Sequence, residues 1–141
     1  MEAKILDNIQ DVQYLDLFIS DTYPIPVAEV QMYGGTYKAV LDTGAETCLF
    51  DKQIVLLLEH LHTIKREGGH TYITTPAGKK KSEFIKIPIS VGGKEYKVVF
   101  NTCDLDFLCS KEHTIHILLG ADFMFENGWK IDFENKRLWL K

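Results

Sequence analysis

The residues best suited to chemistry in this chain are Asp42, Thr43 and Gly44, which follow the continuously apolar run Ala39-Val40-Leu41 and precede Ala45. A carboxyl group at the mouth of a buried strand can take or give a proton in a hydrolytic reaction. The Thr43 hydroxyl can anchor such a turn, and Gly44 permits close approach of backbone. The plainer reading of a strand-end aspartate is an Asx-type turn, in which the side chain satisfies nearby backbone donors. A later segment, Ile117-Leu118-Leu119-Gly120-Ala121-Asp122, repeats the form of an apolar strand ending in glycine, but it lacks the order and the hydroxyl of a second Asp-Thr-Gly. The chain carries one such acid.

Other chemistries are less well supplied. Metal ligation would recruit His60, His62, Cys48 and Cys103, yet no close second pair of ligands follows His60-x-His62, and no metal is expected. Cys48 lies near Asp42 but has no evident histidine partner, so it reads as a core residue rather than a nucleophile. The run Lys79-Lys80-Lys81 reads as a solvated turn. With 16 basic and 20 acidic residues the formal net charge is −4, unlike a protein that holds nucleic acid by counterion release. The three cysteines lack Cys-x-x-Cys spacing and read as reduced thiols. No basic segment followed by an apolar core opens the sequence, and the greasy stretch Ile54 to Leu58 is too short to cross a bilayer. The expected setting is cytoplasmic, not secreted, without a membrane partner.

The elements that must position Asp42 are mostly strands. The apolar share of 45% and charged share of 26% suit one soluble domain of this length. Residues 1–26 read as an N-terminal extension, with a strand or short helix over Tyr14 to Ile19 and with Pro24 and Pro26 enforcing extended backbone. From Val27 the pattern predicts a hairpin, Val27 to Met32 and Tyr37 to Leu41, turning at Gly34-Gly35. Asp51 to Leu61 allows a short helix with Asp51 as N-cap. Gly68-Gly69 should break the chain, and Tyr72 to Thr75 with Ser82 to Ile89 should form a hairpin tipped by Pro76-Ala77-Gly78. A strand over Glu95 to Phe100 places Tyr96, Val98 and Phe100 on one face. Cys103 to Glu112 reads as a loop tucked down by Leu105, Phe107 and Leu108. A strand over Thr114 to Leu119, helical turns over Asp122 to Asn127 stopped by Gly128, and a last hairpin from Trp129 to Leu140 complete the pattern. The expected class is all-β, a small closed β-barrel with one short helix near the C-terminus.

The paired segments Val40-Leu41-Asp42-Thr43-Gly44-Ala45 and Ile117-Leu118-Leu119-Gly120 resemble the retropepsin-like aspartic proteases of retroviruses, pararetroviruses, retrotransposons and their cellular relatives. The resemblance spans roughly Val27 to Leu140, a domain of residues 27–141. It implies the acid-protease type of barrel, no cofactor, and Asp42, Thr43 and Gly44 as catalytic residues, Thr43 reaching across a two-fold axis. Ala45 would form part of the substrate wall, while Glu46 would meet substrate termini or make a surface salt link. The hairpin carrying Ile73, Thr74, Thr75, Pro76, Ala77 and Gly78 would be a flap over substrate, with Leu41 and Ile115 as further wall residues. Leu119, Gly120 and Asp122 would support the site from beneath. Gly120-Ala121-Asp122-Phe123 lacks the arginine that many retroviral members carry after the glycine, and is closer to retrotransposon and plant pararetrovirus members or cellular homologues.

Hydrolysis of this kind needs two carboxyl groups sharing a proton, which one Asp-Thr-Gly does not provide. The resemblance therefore implies a homodimer that cleaves extended peptide, with a precursor polyprotein as the expected substrate, in the cytoplasm or within a viral or retroelement particle. The alternative of a different class is a catalytically silent retropepsin-like dimerisation or peptide-binding module.

Overall fold

The computed structural model of the chain describes residues 13–20, 24–61, 64–75 and 78–140, and the side chains of residues 65–67, 71, 73 and 75 lie outside that description. Strands dominate. β1 (Tyr14–Asp16), β9 (Lys130–Asp132) and β10 (Arg137–Trp139) form a three-stranded antiparallel sheet in the order β1-β10-β9. The other strands are β2 (Val27–Met32), β3 (Gly35–Asp42), β4 (Leu49–Asp51), β5 (Lys65–Thr75), β6 (Gly78–Val91), β7 (Lys94–Cys103) and β8 (Ile117–Gly120). They form a seven-stranded sheet ordered β2-β3-β8-β4-β7-β6-β5. This sheet curls until β2 meets β6, but only through the pair Gln31↔Ser90. The expected closed barrel is therefore a curled sheet with a one-pair seam, and the terminal strands stand in a sheet of their own.

Alternation along the strands explains the core. In β2, Val27, Ala28, Val30 and Met32 are buried while Glu29 and Gln31 are exposed, the pattern of a strand with one wet face. The β2–β3 hairpin turns at Tyr33-Gly34, with φ of 47° and 79°, rather than at Gly34-Gly35. Two residues of positive φ match the right-handed twist of the flanking strands, which lets Met32 pair with Gly35. Ile85, Ile87, Ile89 and Val91 of β6 face the same core as Val98 and Phe100 of β7. Phe50 packs edge-on against Phe100 with ring centroids 5.2 Å apart.

Several expectations shift. The helix α1 runs Lys52–Leu61, with Asp51 still in β4, so the fold has a ten-residue helix besides the short α2 (Ala121–Glu126) near the C-terminus. Ile54 and Val55 do not prevent α1, because burial of Val55 and Leu58 outweighs a small loss of propensity. Gly68-Gly69 does not end a strand: β5 passes through it with a register shift between Arg66 and His70, a bulge that positive φ at both glycines allows. Leu105 is buried, but Phe107 on the 3₁₀ turn Asp106–Leu108 is exposed. Within the lead-in, β1 pairs with β10 and Leu17 joins the core, so those residues pack on the C-terminal hairpin.

Candidate active site

Asp42 is the last residue of β3, and β3 runs parallel to β8 with Leu41 beside Leu119 and Asp42 beside Gly120. The two apolar segments singled out in the sequence are thus adjacent strands. Ala39, Leu41, Ile117 and Leu119 are buried, which fixes the strand ends and brings Asp42 to a half-buried position at the edge of the core. The chain then turns sharply. Gly44 N–H donates to Asp42 Oδ1 at 2.9 Å, and Ala45 N–H donates to the Asp42 carbonyl at 3.2 Å. The Asx-type turn is therefore present, but it uses one carboxylate oxygen only. Oδ2 has no hydrogen-bond partner among the described residues. Thr43 and Gly44 are exposed beside it.

The next segment supports this turn from beneath with three consecutive backbone donors. Gly120 N–H points to Cys48 Sγ at 3.4 Å, Ala121 N–H donates to the Ala45 carbonyl at 2.6 Å, and Asp122 N–H donates to the Glu46 carbonyl at 3.2 Å. Gly120 is where close approach excludes a side chain: a Cβ there would lie 2.5 Å from the Thr47 carbonyl oxygen and 2.8 Å from that of Ala45. Asp122 acts through its backbone, and its carboxyl is exposed. α2 is held in turn by an aromatic group, Phe123 and Trp129 lying 5.0 Å apart edge-on and Tyr96 packing on both. Trp129 Nε1–H donates to the Tyr96 hydroxyl at 3.3 Å.

Cys48 is the residue whose part in the site the sequence did not reveal. It is 5% exposed, and burial pushes its thiol up to about 11, with Asp122 and Glu126 adding to the rise against the opposing hydrogen bond from Gly120. A thiol so protonated is a poor nucleophile, in line with its reading as core, yet it accepts the Gly120 N–H that no side-chain pattern marks. Iodoacetamide at pH 8 is expected to modify exposed Cys109 in the folded protein and to leave Cys48 unmodified until denaturant is added, as peptide mass mapping would read. Fast labelling of Cys48 in the native state would contradict the burial.

The residues expected on the substrate side are less concentrated. Ala45 is half-buried and Glu46 exposed on the Asp42 turn. Ile73, Thr74 and Thr75 lie on β5 and Gly78 opens β6, with Thr75 paired to Gly78 and Thr74 to Lys79, so the hairpin expected as a flap is present. Thr74 and Gly78 are exposed; Pro76 and Ala77 lie outside the described residues. Lys79, Lys80 and Lys81 are exposed strand residues of this hairpin rather than a turn. Leu41 and Ile115, expected as cleft walls, are 2% and 1% exposed and belong to the packed interior instead. Apolar residues next to a site serve the core first when their strand is covered on both faces. Among the described residues no three His, Cys, Asp or Glu side chains gather as metal ligands, and no helix is long and apolar enough to cross a membrane.

No protein-family model matches the chain, and no curated protein matches its sequence. Its fold does match solved structures, among them the crystal structure of the retroviral protease-like domain of Ddi1 from Leishmania major. That likeness has a TM-score of 0.54 at 15% identity and covers 81% of this chain and 86% of the other. At that identity it is the architecture that is shared. The chain is thus a β-rich domain with the retropepsin-like fold, carrying its single Asp-Thr-Gly at the end of a strand paired in parallel with Ile117–Gly120.

Proposed function

We propose that the protein is an aspartic endopeptidase acting as a homodimer, with Asp42 of each protomer supplying one carboxyl of a shared pair. The observation that carries this reading is the Asp42 turn itself: one carboxylate oxygen is tied to Gly44 N–H, and the loop rests on Gly120, Ala121 and Asp122. A loop held in this way can present the second oxygen to a reacting group without reorganising.

In the dimer, one carboxylate takes a proton from the attacking water while its protonated mate supports the carbonyl oxygen of the substrate. Two such groups a few ångströms apart cannot both ionise, so they titrate as a coupled pair. Thr43 ties the two turns together across the axis. The β5–β6 hairpin covers an extended peptide, whose backbone bonds to strand edges and whose alternate side chains enter pockets. A precursor polyprotein is the expected natural substrate.

The test incubates concentrated protein with a diverse peptide library at mildly acidic pH and locates cuts by mass spectrometry. Cleavage is expected, with activity per chain falling on dilution and returning on concentration, because the site is shared. Constant specific activity across a wide dilution series, with the protein shown to be monomeric throughout, would rule out the two-chain site.

A further inference from the structure

Strands β4 and β7 run side by side only from Leu49 and Asn101 onward. Asn101 N–H donates to the Cys48 carbonyl at 3.0 Å, so Asn101 turns its backbone groups towards β4. Those groups alternate in direction along a strand, so Lys97 and Val99 turn theirs to the same edge. Among the described residues no strand meets them there. Before Cys48 the chain swings away from β7, and the Ala45 and Glu46 carbonyls accept the Ala121 and Asp122 N–H groups instead. The edge of β7 at Lys97 and Val99 is thus left open beside the Asp42 turn.

A groove of about 350 Å³ opens at this point, within the range of small ligand sites, and all the residues lining it lie among the described ones. Phe84 and Val99 supply apolar lining, Val99 being 48% exposed. Asp122 and Glu126 stand one helical turn apart on α2, and Glu46 joins them from the Asp42 turn. Both helix carboxylates act on the Cys48 thiol, which lines the same groove, so their charges converge there. No ion pair joins any of the three to a described residue. Lys97 also lines the groove and Lys86 stands opposite Val99, but neither pairs with a carboxylate.

A second feature is independent of charge. Asn101 is 4% exposed and lines the groove, and its Oδ1 accepts the Ser82 hydroxyl at 3.3 Å. Its Nδ2 has no hydrogen-bond partner among the described residues. A buried amide left open beside a cavity favours a ligand that brings a carbonyl oxygen.

We propose that this groove binds an extended peptide through an arginine side chain, beside the Asp42 turn rather than at Asp42 itself. The peptide backbone pairs with the open edge at Lys97 and Val99, and one of its carbonyls accepts the Asn101 amide. Its guanidinium lies between Asp122 and Glu126, with Glu46 nearby, because a planar fork can serve two carboxylates at once. The open edge and the free amide specify a peptide, and the unpaired carboxylates specify its basic side chain. The site does not depend on catalysis.

The experiment follows backbone amide resonances of Asp42→Asn protein, chosen so that no probe is cut. The probes are acetyl-Val-Arg-Val-amide and the same peptide carrying citrulline, an uncharged isostere of arginine. Both should shift Glu46, Val99 and Glu126, and the arginine peptide should saturate them at about five- to tenfold lower concentration, an advantage that added salt erodes. The same protein with Asp122→Asn and Glu126→Gln keeps the backbone contacts of α2 and should bind the two peptides alike. Acetyl-arginine-amide, which has the guanidinium but almost no strand, should bind at least about tenfold more weakly than the arginine peptide. Equal affinity for the two peptides before those substitutions, shifts confined to the β5–β6 hairpin, or an undiminished preference for arginine in the folded substituted protein would overturn the proposal. Acetyl-arginine-amide binding as tightly as the peptide would overturn it too, because the groove would then hold a free guanidinium and no strand.

Discussion

Asp42→Asn is expected to abolish peptide cleavage while leaving the folded protein as stable as before. Asparagine keeps an oxygen where Asp42 Oδ1 accepts the Gly44 N–H, so the turn retains its hydrogen bond. The position is only half-buried and no core contact changes, so the effect on stability should stay within about 0.5 kcal/mol. Chemistry is affected far more. Neither protomer could then take a proton from water or offer one to the carbonyl oxygen, and a loss on the order of 10⁴-fold or more is expected, the scale on which groups acting as a unit fail together. Mixing supplies a sharper arm. Excess variant protein should draw wild-type chains into dimers with one carboxyl and suppress their activity, which an independent single-chain site would not do. Turnover retained by the variant would sink the mechanism, and unsuppressed activity in a mixture with proven subunit exchange would sink the shared site.

The second large effect is on the fold. Gly120→Ala would put a methyl group 2.5 Å from the Thr47 carbonyl oxygen and 2.8 Å from both the Thr47 carbonyl carbon and the Ala45 carbonyl oxygen. All three are main-chain atoms, and no rotamer change relieves them. Ala121 N–H ties the Ala45 carbonyl in place at 2.6 Å, and Gly120 is itself paired beside Asp42, so the turn must lift or β8 must slide. Overpacking of this kind is expected to cost about 3 kcal/mol and to lower Tm by roughly 10 °C. Gly128→Ala is the informative control. Gly128 has φ +67° but nothing within 4 Å of a Cβ, so only backbone strain is introduced, worth about 1 kcal/mol. Urea unfolding of the two variants separates the effects. Equal midpoints would mean that Gly120 is not held as tightly as its neighbours indicate.

Both predictions rest on features of unequal visibility in the sequence. The β2–β3 hairpin could be read because alternation and turn residues are local, though its turn lay one residue earlier, at Tyr33-Gly34, than glycine content alone suggested. α2 and its stop at Gly128 were legible for the same reason. Leu41 and Ile115 were harder. An apolar residue near a site has the same composition whether it lines a cleft or fills the interior, and only the strands covering it show which. Strand β1 was ambiguous because its partner, β10, lies at the other end of the chain.

For Asp42 the division is clear. The order of residues alone determined that one acid, one hydroxyl and one glycine follow an apolar strand, and that a second apolar strand ends in glycine downstream, because these are properties of contiguous segments. Tertiary structure decided that the two strands are parallel neighbours, with Gly120 beside Asp42 and Cys48 accepting its N–H. It also decided that β2 and β6 close the sheet through a single pair, Gln31 beside Ser90. Register between distant strands depends on which faces the whole core can bury at once, and no short window of sequence contains that information.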